Sequence, residues 1–279
     1  MSSTRSPSRP APATEASVDP RPSLLVVGHG SARPAAPADA TERHAAERHA
    51  AVLAASGRFA SVAIGYLNGG PPLGAAAGAA GSGDLLVFPY LMSNERWVRK
   101  LIPEALGLDG RVTRADGRRL IYCDPLGSSP GLAEVIERTA RACCVAHGLE
   151  AARTEVLLVG HGSARDPASR LMTFHNARRL AVIGSFESVA CAFLEEVPLA
   201  VEVIPALAAG GPPVVVVGLF AGEGQHGGEE LLRMVAERRA ALAAVENPRP
   251  MYYAGPIGAD PEIAGLILNL AEAALRRAG

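Results

Sequence analysis

Two histidines and a glutamate in the second half of this 279-residue chain have the makings of a metal site: His161, Glu195 and His226. Each follows a short apolar run, VLLVG before His161, SVACAF before Leu194-Glu195, and PVVVVGLF upstream of His226. Two imidazoles and one carboxylate suit a divalent ion such as iron, cobalt, nickel or zinc. An imidazole also accepts a proton near neutral pH, its ordinary pKa being about 6.5. The set can therefore hold a metal and take protons from whatever receives it, which makes all three candidate catalytic and metal-binding residues. Glu230, four residues past His226 and near the start of a helical pattern, is placed to orient that ring. The glycines of 222–228 let the backbone approach a bulky ligand around His226.

The elements that must position these groups come twice. LLVVGHGSARP at 24–34 is matched by LLVGHGSARDP at 157–167, SVAIGYLN at 61–68 by SVACAFLE at 188–195, and YCDPLG by YAGPIG. In each half four Val- and Leu-rich runs alternate with helical patterns: 24–28, 61–68, 84–91 and 120–127, then 156–160, 188–195, 213–220 and 251–258. Connections of this length imply parallel strands with right-handed crossovers. The expected fold is α/β, two tandem domains, each a four-stranded parallel sheet flanked by helices, related by a pseudo-two-fold. The units would be 21–150 and 151–279, after a Ser-, Pro- and Ala-rich tail over 1–20 that composition marks as disordered. Asp166 should cap the helix after His161 and Pro167 should open it. All three candidates then reach the carboxyl edge of one sheet, where ligands of open α/β sheets bind. A cleft between the halves is the natural place for that ligand.

The first half lacks the set. His29 matches His161, but Asn68 stands at the Glu195 position, Trp97 opposite His226, and Leu101 in place of Glu230. An isolated histidine holds a labile metal poorly, so the active centre is expected in the second half and the first is read as degenerate. Trp97 reads equally as an apolar wall for a flat ligand or as a core residue. Glu196, beside Glu195, reads as an ordinary surface charge.

Bulk properties exclude several classes. The formal charge of −1 and 4% aromatic content argue against nucleic-acid partners, and an anionic membrane has no charge to attract it. The four cysteines show no CxxC spacing and read as buried thiols in a reducing compartment. No apolar stretch approaches the roughly 18 residues of a membrane span, and residues 1–20 hold no signal-peptide core, so a soluble cytoplasmic protein is expected. GHGS is neither a dinucleotide fingerprint nor the elbow of a serine hydrolase, and no phosphate-binding Walker motif is present, so no NAD and no ATP are expected.

Together the duplicated VGHGS turn, the FLE at 193–195 and the FAGEGQH loop resemble the class II tetrapyrrole chelatases. The similarity is to the sirohydrochlorin cobalt or iron chelatases of the CbiX type in their long, two-repeat form, and it runs from about residue 21 to 279. The resemblance implies a lyase that inserts Co²⁺ or Fe²⁺ into sirohydrochlorin without ATP, toward cobalamin or sirohaem, with nickel or another tetrapyrrole as further possibilities. It implies that His161 and His226 bind the metal and share in proton removal, with Glu195 at the acidic position and Glu230 where the family usually has aspartate. The substrate's carboxylates call for a basic rim, for which Arg33, Arg96, Arg99 and Lys100 in the first half and Arg165 in the second are candidates beside Trp97. A non-catalytic tetrapyrrole or metal carrier of the same fold is the main competing reading. Two fused repeats already supply a cleft, which fits a monomer and leaves a homodimer open.

Overall fold

A computed structural model describes residues 19–30, 37–222, 228–243 and 245–279, with the side chains of 37–44 left aside. Residues 1–18 of the tail expected over 1–20, together with Arg33 and His226, lie outside the described residues.

The first half runs β1 (Ser23–Gly30), α1 (Pro37–Ala55), β2 (Val62–Asn68), α2 (Leu73–Ala79), β3 (Leu85–Pro89), a π-helical turn (Trp97–Leu101) continuing into α3 (Ile102–Leu106), β4 (Val112–Ala115), β5 (Arg118–Tyr122) and α4 (Leu132–Ala146). The second half follows as β6 (Glu155–Gly160), α5 (Ala168–Ile183), β7 (Ser188–Phe193), α6 (Ala200–Ala206), β8 (Val214–Gly218), α7 (Glu229–Ala243), β9 (Met251–Pro256) and α8 (Ile263–Ala278). The sheets are ordered β2-β1-β3-β5-β4 and β7-β6-β8-β9. Their central strands are apolar throughout because helices cover both faces: β3 and β8 are buried at every position.

One strand departs from expectation. The first sheet has five strands, because β4 pairs antiparallel with β5. The hairpin turns on Asp116-Gly117, both at positive φ (51° and 77°), the backbone that a two-residue Asp-Gly loop adopts. That dipeptide was the available signal; the strand itself is short and largely polar.

The last helix of each half packs on the other half's sheet. The helix α4 lies against β8 and β9, and α8 against β3 and β5. Their apolar stripes, Leu132, Val135, Ile136 and Ala140 on α4 and Ile263, Leu266, Ile267 and Leu270 on α8, are buried in one cluster. That cluster also contains Leu24 and Phe88 of the first sheet and Leu158 and Val217 of the second, so the halves share a core. Of the four cysteines, Cys123 and Cys144 are buried, and burial pushes the Cys123 thiol up to about 12, well away from reactivity. None of the described helices is long and apolar enough to cross a membrane.

His49 of α1 is 2% exposed and its Nε2 donates to the Gly258 carbonyl at 2.8 Å, tying the first half to the end of the second. Burial holds its pKa below the ordinary 6.5, Arg48 pressing the same way and Asp260 opposing. The unfolded chain therefore takes up a proton as pH falls through 6.5, and the folded chain does so only lower. Stability from this group is complete above that value and declines below it. In thermal melts spanning it, His49→Gln should show a shallower acid-side decline than the wild type.

Candidate functional site

The second sheet's topology fixes where a ligand can sit. From β6 the chain goes outward to β7, then crosses back to β8 on the other side, so β6 and β8 flank a switch point. His161 follows β6 directly. The segment after β8 stays beside it, since the Leu219 N–H donates to the Val159 carbonyl at 2.8 Å.

Backbone bonds bring Glu195 to His161. The N–H groups of Leu194 and Glu195 both donate to the His161 carbonyl, at 3.0 and 2.9 Å, so the FLE segment wraps on the turn whatever its side chains do. The Glu195 Oε2 lies 3.8 Å from the His161 Nδ1, with both side chains roughly half exposed. That Nδ1 is 2.9 Å from the Gly162 carbonyl. A carbonyl only accepts, so Nδ1 carries the proton and Nε2 carries the lone pair a metal would use.

Gly162 is required at this turn. Its φ is +75°, and an added Cβ would lie 2.8 Å from the Cβ atoms of Phe193 and Glu196. Its N–H is held by the Ser169 hydroxyl at 3.1 Å. Glu196, expected on the surface, is instead 11% exposed in its side chain and clamps the turn: it accepts the Ser163 N–H at 3.2 Å and pairs with Arg170 at 3.0 Å. The helix after the turn begins at Ala168, one residue later than expected, with Pro167 at the cap position and Asp166 accepting the Ala168 N–H at 3.1 Å.

The first half shows what the same frame does without the acid. The His29 Nδ1 makes the matching bond to the Gly30 carbonyl at 2.8 Å. Asn68 reaches the His29 carbonyl at 3.5 Å. Trp97 lies edge-on to the His29 ring, centroids 4.4 Å apart and planes at 81°. Trp97 is thus half-buried against the histidine rather than deep in the core. It and His226 each stand eight residues past the third strand of their half, ending at Pro89 and Gly218. In the first half, where the segment after the third strand is described, that position touches the His29 ring.

Glu230 is half-buried in the first turn of α7, as its spacing suggests. Among the described residues no three of His, Cys, Asp and Glu converge, so His161 and Glu195 stand as a pair. Of the basic candidates, Arg96 and Arg165 are exposed, Lys100 lies 3.7 Å from Glu104, and Arg99 crosses between halves to Asp166 at 2.6 Å. Arg99 also lines a cavity of about 390 Å³ at the carboxyl edge of the first sheet, with Val98, Arg111 and Tyr122.

This architecture and these turns have known counterparts. The CbiX family model matches the chain twice, over residues 23–143 and 155–274. A protein of Halobacterium salinarum named as a probable sirohydrochlorin cobaltochelatase is 25% identical over 272 residues, covering 89% of this chain and 90% of its own length. A multi-domain Deinococcus radiodurans protein, described as structurally similar to chelatases but with two additional domains, superposes with a TM-score of 0.74 at 25% identity; the match covers 91% of this chain and 55% of that one. The sirohydrochlorin chelatase SirB of Bacillus subtilis, solved with cobalt, superposes with a TM-score of 0.69 over 92% of this chain and 96% of its own, and at 19% identity it speaks for the fold alone. Each half of the chain accounts for one of the two matches, and the chain belongs to the CbiX family.

Proposed function

We propose that the protein is an ATP-independent chelatase that inserts Co²⁺ or Fe²⁺ into sirohydrochlorin, in cobalamin or sirohaem synthesis, using the second half's sheet edge. The observation that carries this reading is the contrast between the two histidine turns. Both rings leave Nε2 with the lone pair, but His161 has a carboxylate beside it, whereas His29 has an amide and an indole. The cobaltochelatase name of the Halobacterium relative supports the same substrate class.

In this reading Nε2 of His161 and the ring of His226 hold the incoming ion. Insertion releases two pyrrolic protons, and Glu195, half in solvent beside His161, takes them in turn and relays each to water. The macrocycle lies between the halves, where orientation lowers the barrier. Arg33, Arg96, Lys100 and Arg165 meet the substrate's carboxylates, and Arg99 does so by exchanging Asp166 for one of them. The chain acts in two units, 21–150 as scaffold and 151–279 as the catalytic half.

The test is anaerobic incubation with sirohydrochlorin and Co²⁺, Fe²⁺ or Ni²⁺, followed by absorbance. Insertion of Co²⁺ or Fe²⁺ without ATP is expected. Tight sirohydrochlorin binding with no insertion of any metal would make the protein a carrier instead.

A further inference from the structure

Past the ends of β3 and β5 the first half holds a cavity of about 390 Å³ that the metal chemistry leaves unused. Val98, Pro103 and Leu108 give it apolar walls, and Arg99, Arg111 and Asp124 bring charge to its lining. The walls are held by bonds that need no ligand. The Tyr122 hydroxyl donates to the Val98 carbonyl at 2.6 Å, tying the π-helical turn to β5. The Leu108 N–H donates to the Pro103 carbonyl and the Tyr122 N–H to the Arg111 carbonyl, both at 2.9 Å. Leu108 and Arg111 come from the segment that leads into β4, the strand the second sheet lacks, so this wall belongs to the first half alone.

The charges of the lining do not balance. Two guanidiniums face one carboxylate, and that carboxylate is shared: Asp124 takes Arg111 on Oδ1 at 2.5 Å and Arg277 of α8 on Oδ2 at 2.9 Å. Arg99 bonds Asp166 across the halves at 2.6 Å. Among the described residues the Arg99 and Arg111 side chains each give one N–H to these partners, and a guanidinium has five. The two side chains stay 54% and 64% exposed, which leaves donors for a ligand. The planar fork of arginine matches a carboxylate. The volume stands at the low end of the about 300–1,000 Å³ of small-molecule sites, which suits a short acid rather than a macrocycle.

We propose that this cavity is a carboxylate-binding site, in which Arg99 and Arg111 clamp one carboxylate and Val98, Pro103 and Leu108 pack on its methylenes. The occupant is a short aliphatic acid, either free or carried as a side arm of a tetrapyrrole. Arg99 also holds Asp166, which accepts the Ala168 N–H where α5 begins, so occupancy is felt at the helix that follows the His161 turn. The site stands on the cavity and its charges and does not need the chelatase reading.

The test uses the full chain as wild type, Arg111→Gln and Arg277→Gln. Glutarate and its neutral diamide are the probes in titration calorimetry, and sirohydrochlorin affinity is followed by absorbance. Arg111→Gln should bind an acid ligand about tenfold or more weakly, the loss of a charge-assisted bond. Arg277→Gln cuts the other bond to Asp124 without lining this cavity, and should bind as wild type does. A loss of sirohydrochlorin affinity in Arg111→Gln would assign the site to a substrate arm, and a loss of glutarate affinity alone would assign it to a free acid. Arg111→Gln indistinguishable from wild type toward both ligands would overturn the proposal, as would equal binding of the diamide or an equal loss in Arg277→Gln. A wild type that does not bind sirohydrochlorin would sink the chelatase reading and leave the cavity to be judged by glutarate.

Discussion

His161→Ala should lower the rate of metal insertion by about 10²- to 10⁴-fold, the span that a positioned acid or base contributes, and His29→Ala should leave it within about threefold of wild type, well short of that span. The two histidines occupy equivalent turns and make equivalent Nδ1 bonds, to Gly162 and Gly30. A loss caused by a damaged turn would therefore strike both variants. What differs is the neighbour: Glu195 for one, Trp97 for the other. Steady-state absorbance with sirohydrochlorin and Co²⁺ reads the difference. Equal losses would show that both edges serve the reaction, and the reverse order would move the site to the first half.

The second large effect concerns the exchanged helices. Residues 1–150 and 151–279, expressed separately, should each fail to give a folded monomer. Each would leave its sheet without the helix that covers it, and its own last helix without the sheet it packs on. Ile263, Leu266, Ile267 and Leu270 of α8 are at most 8% exposed in the whole chain. Burying side chains of this size is worth about 1.5–3 kcal/mol each, so four of them approach the 5–15 kcal/mol that typically separates folded from unfolded. Circular dichroism and sedimentation should show each fragment unfolded or self-associated, and mixing should restore the native signal. A stable folded monomer from either fragment would mean that the helices can fold back on their own sheets.

How far the sequence could be read follows the same physics. The strands showed themselves because buried parallel strands need Val and Leu at successive positions, as in 24–27 and 214–217, and the repeat then fixed the order of the elements. The strand β4 escaped because Val112–Ala115 pairs on one side only at a sheet edge and alternates between exposed and half-buried positions. The helix exchange escaped because the apolar stripe of α8 tells which face is covered and says nothing of what covers it. That His161 and Glu195 come together was legible from their place after consecutive strands. Glu196 was not, since a carboxylate that holds a turn and one that faces water have the same spelling. Tyr90 was equally silent: its hydroxyl bonds the Ala221 and Gly258 carbonyls, 131 and 168 positions away.

In the proposed reaction the second half's sheet edge, and not the first's, receives the metal. A crystal structure of the wild-type chain with Co²⁺, read by anomalous scattering, tests it most directly. One strong peak is expected about 2.1 Å from the His161 Nε2, with the His226 ring on the same ion and Glu195 beside it. A peak on His29, or an ion bound elsewhere with His161 unengaged, would contradict it.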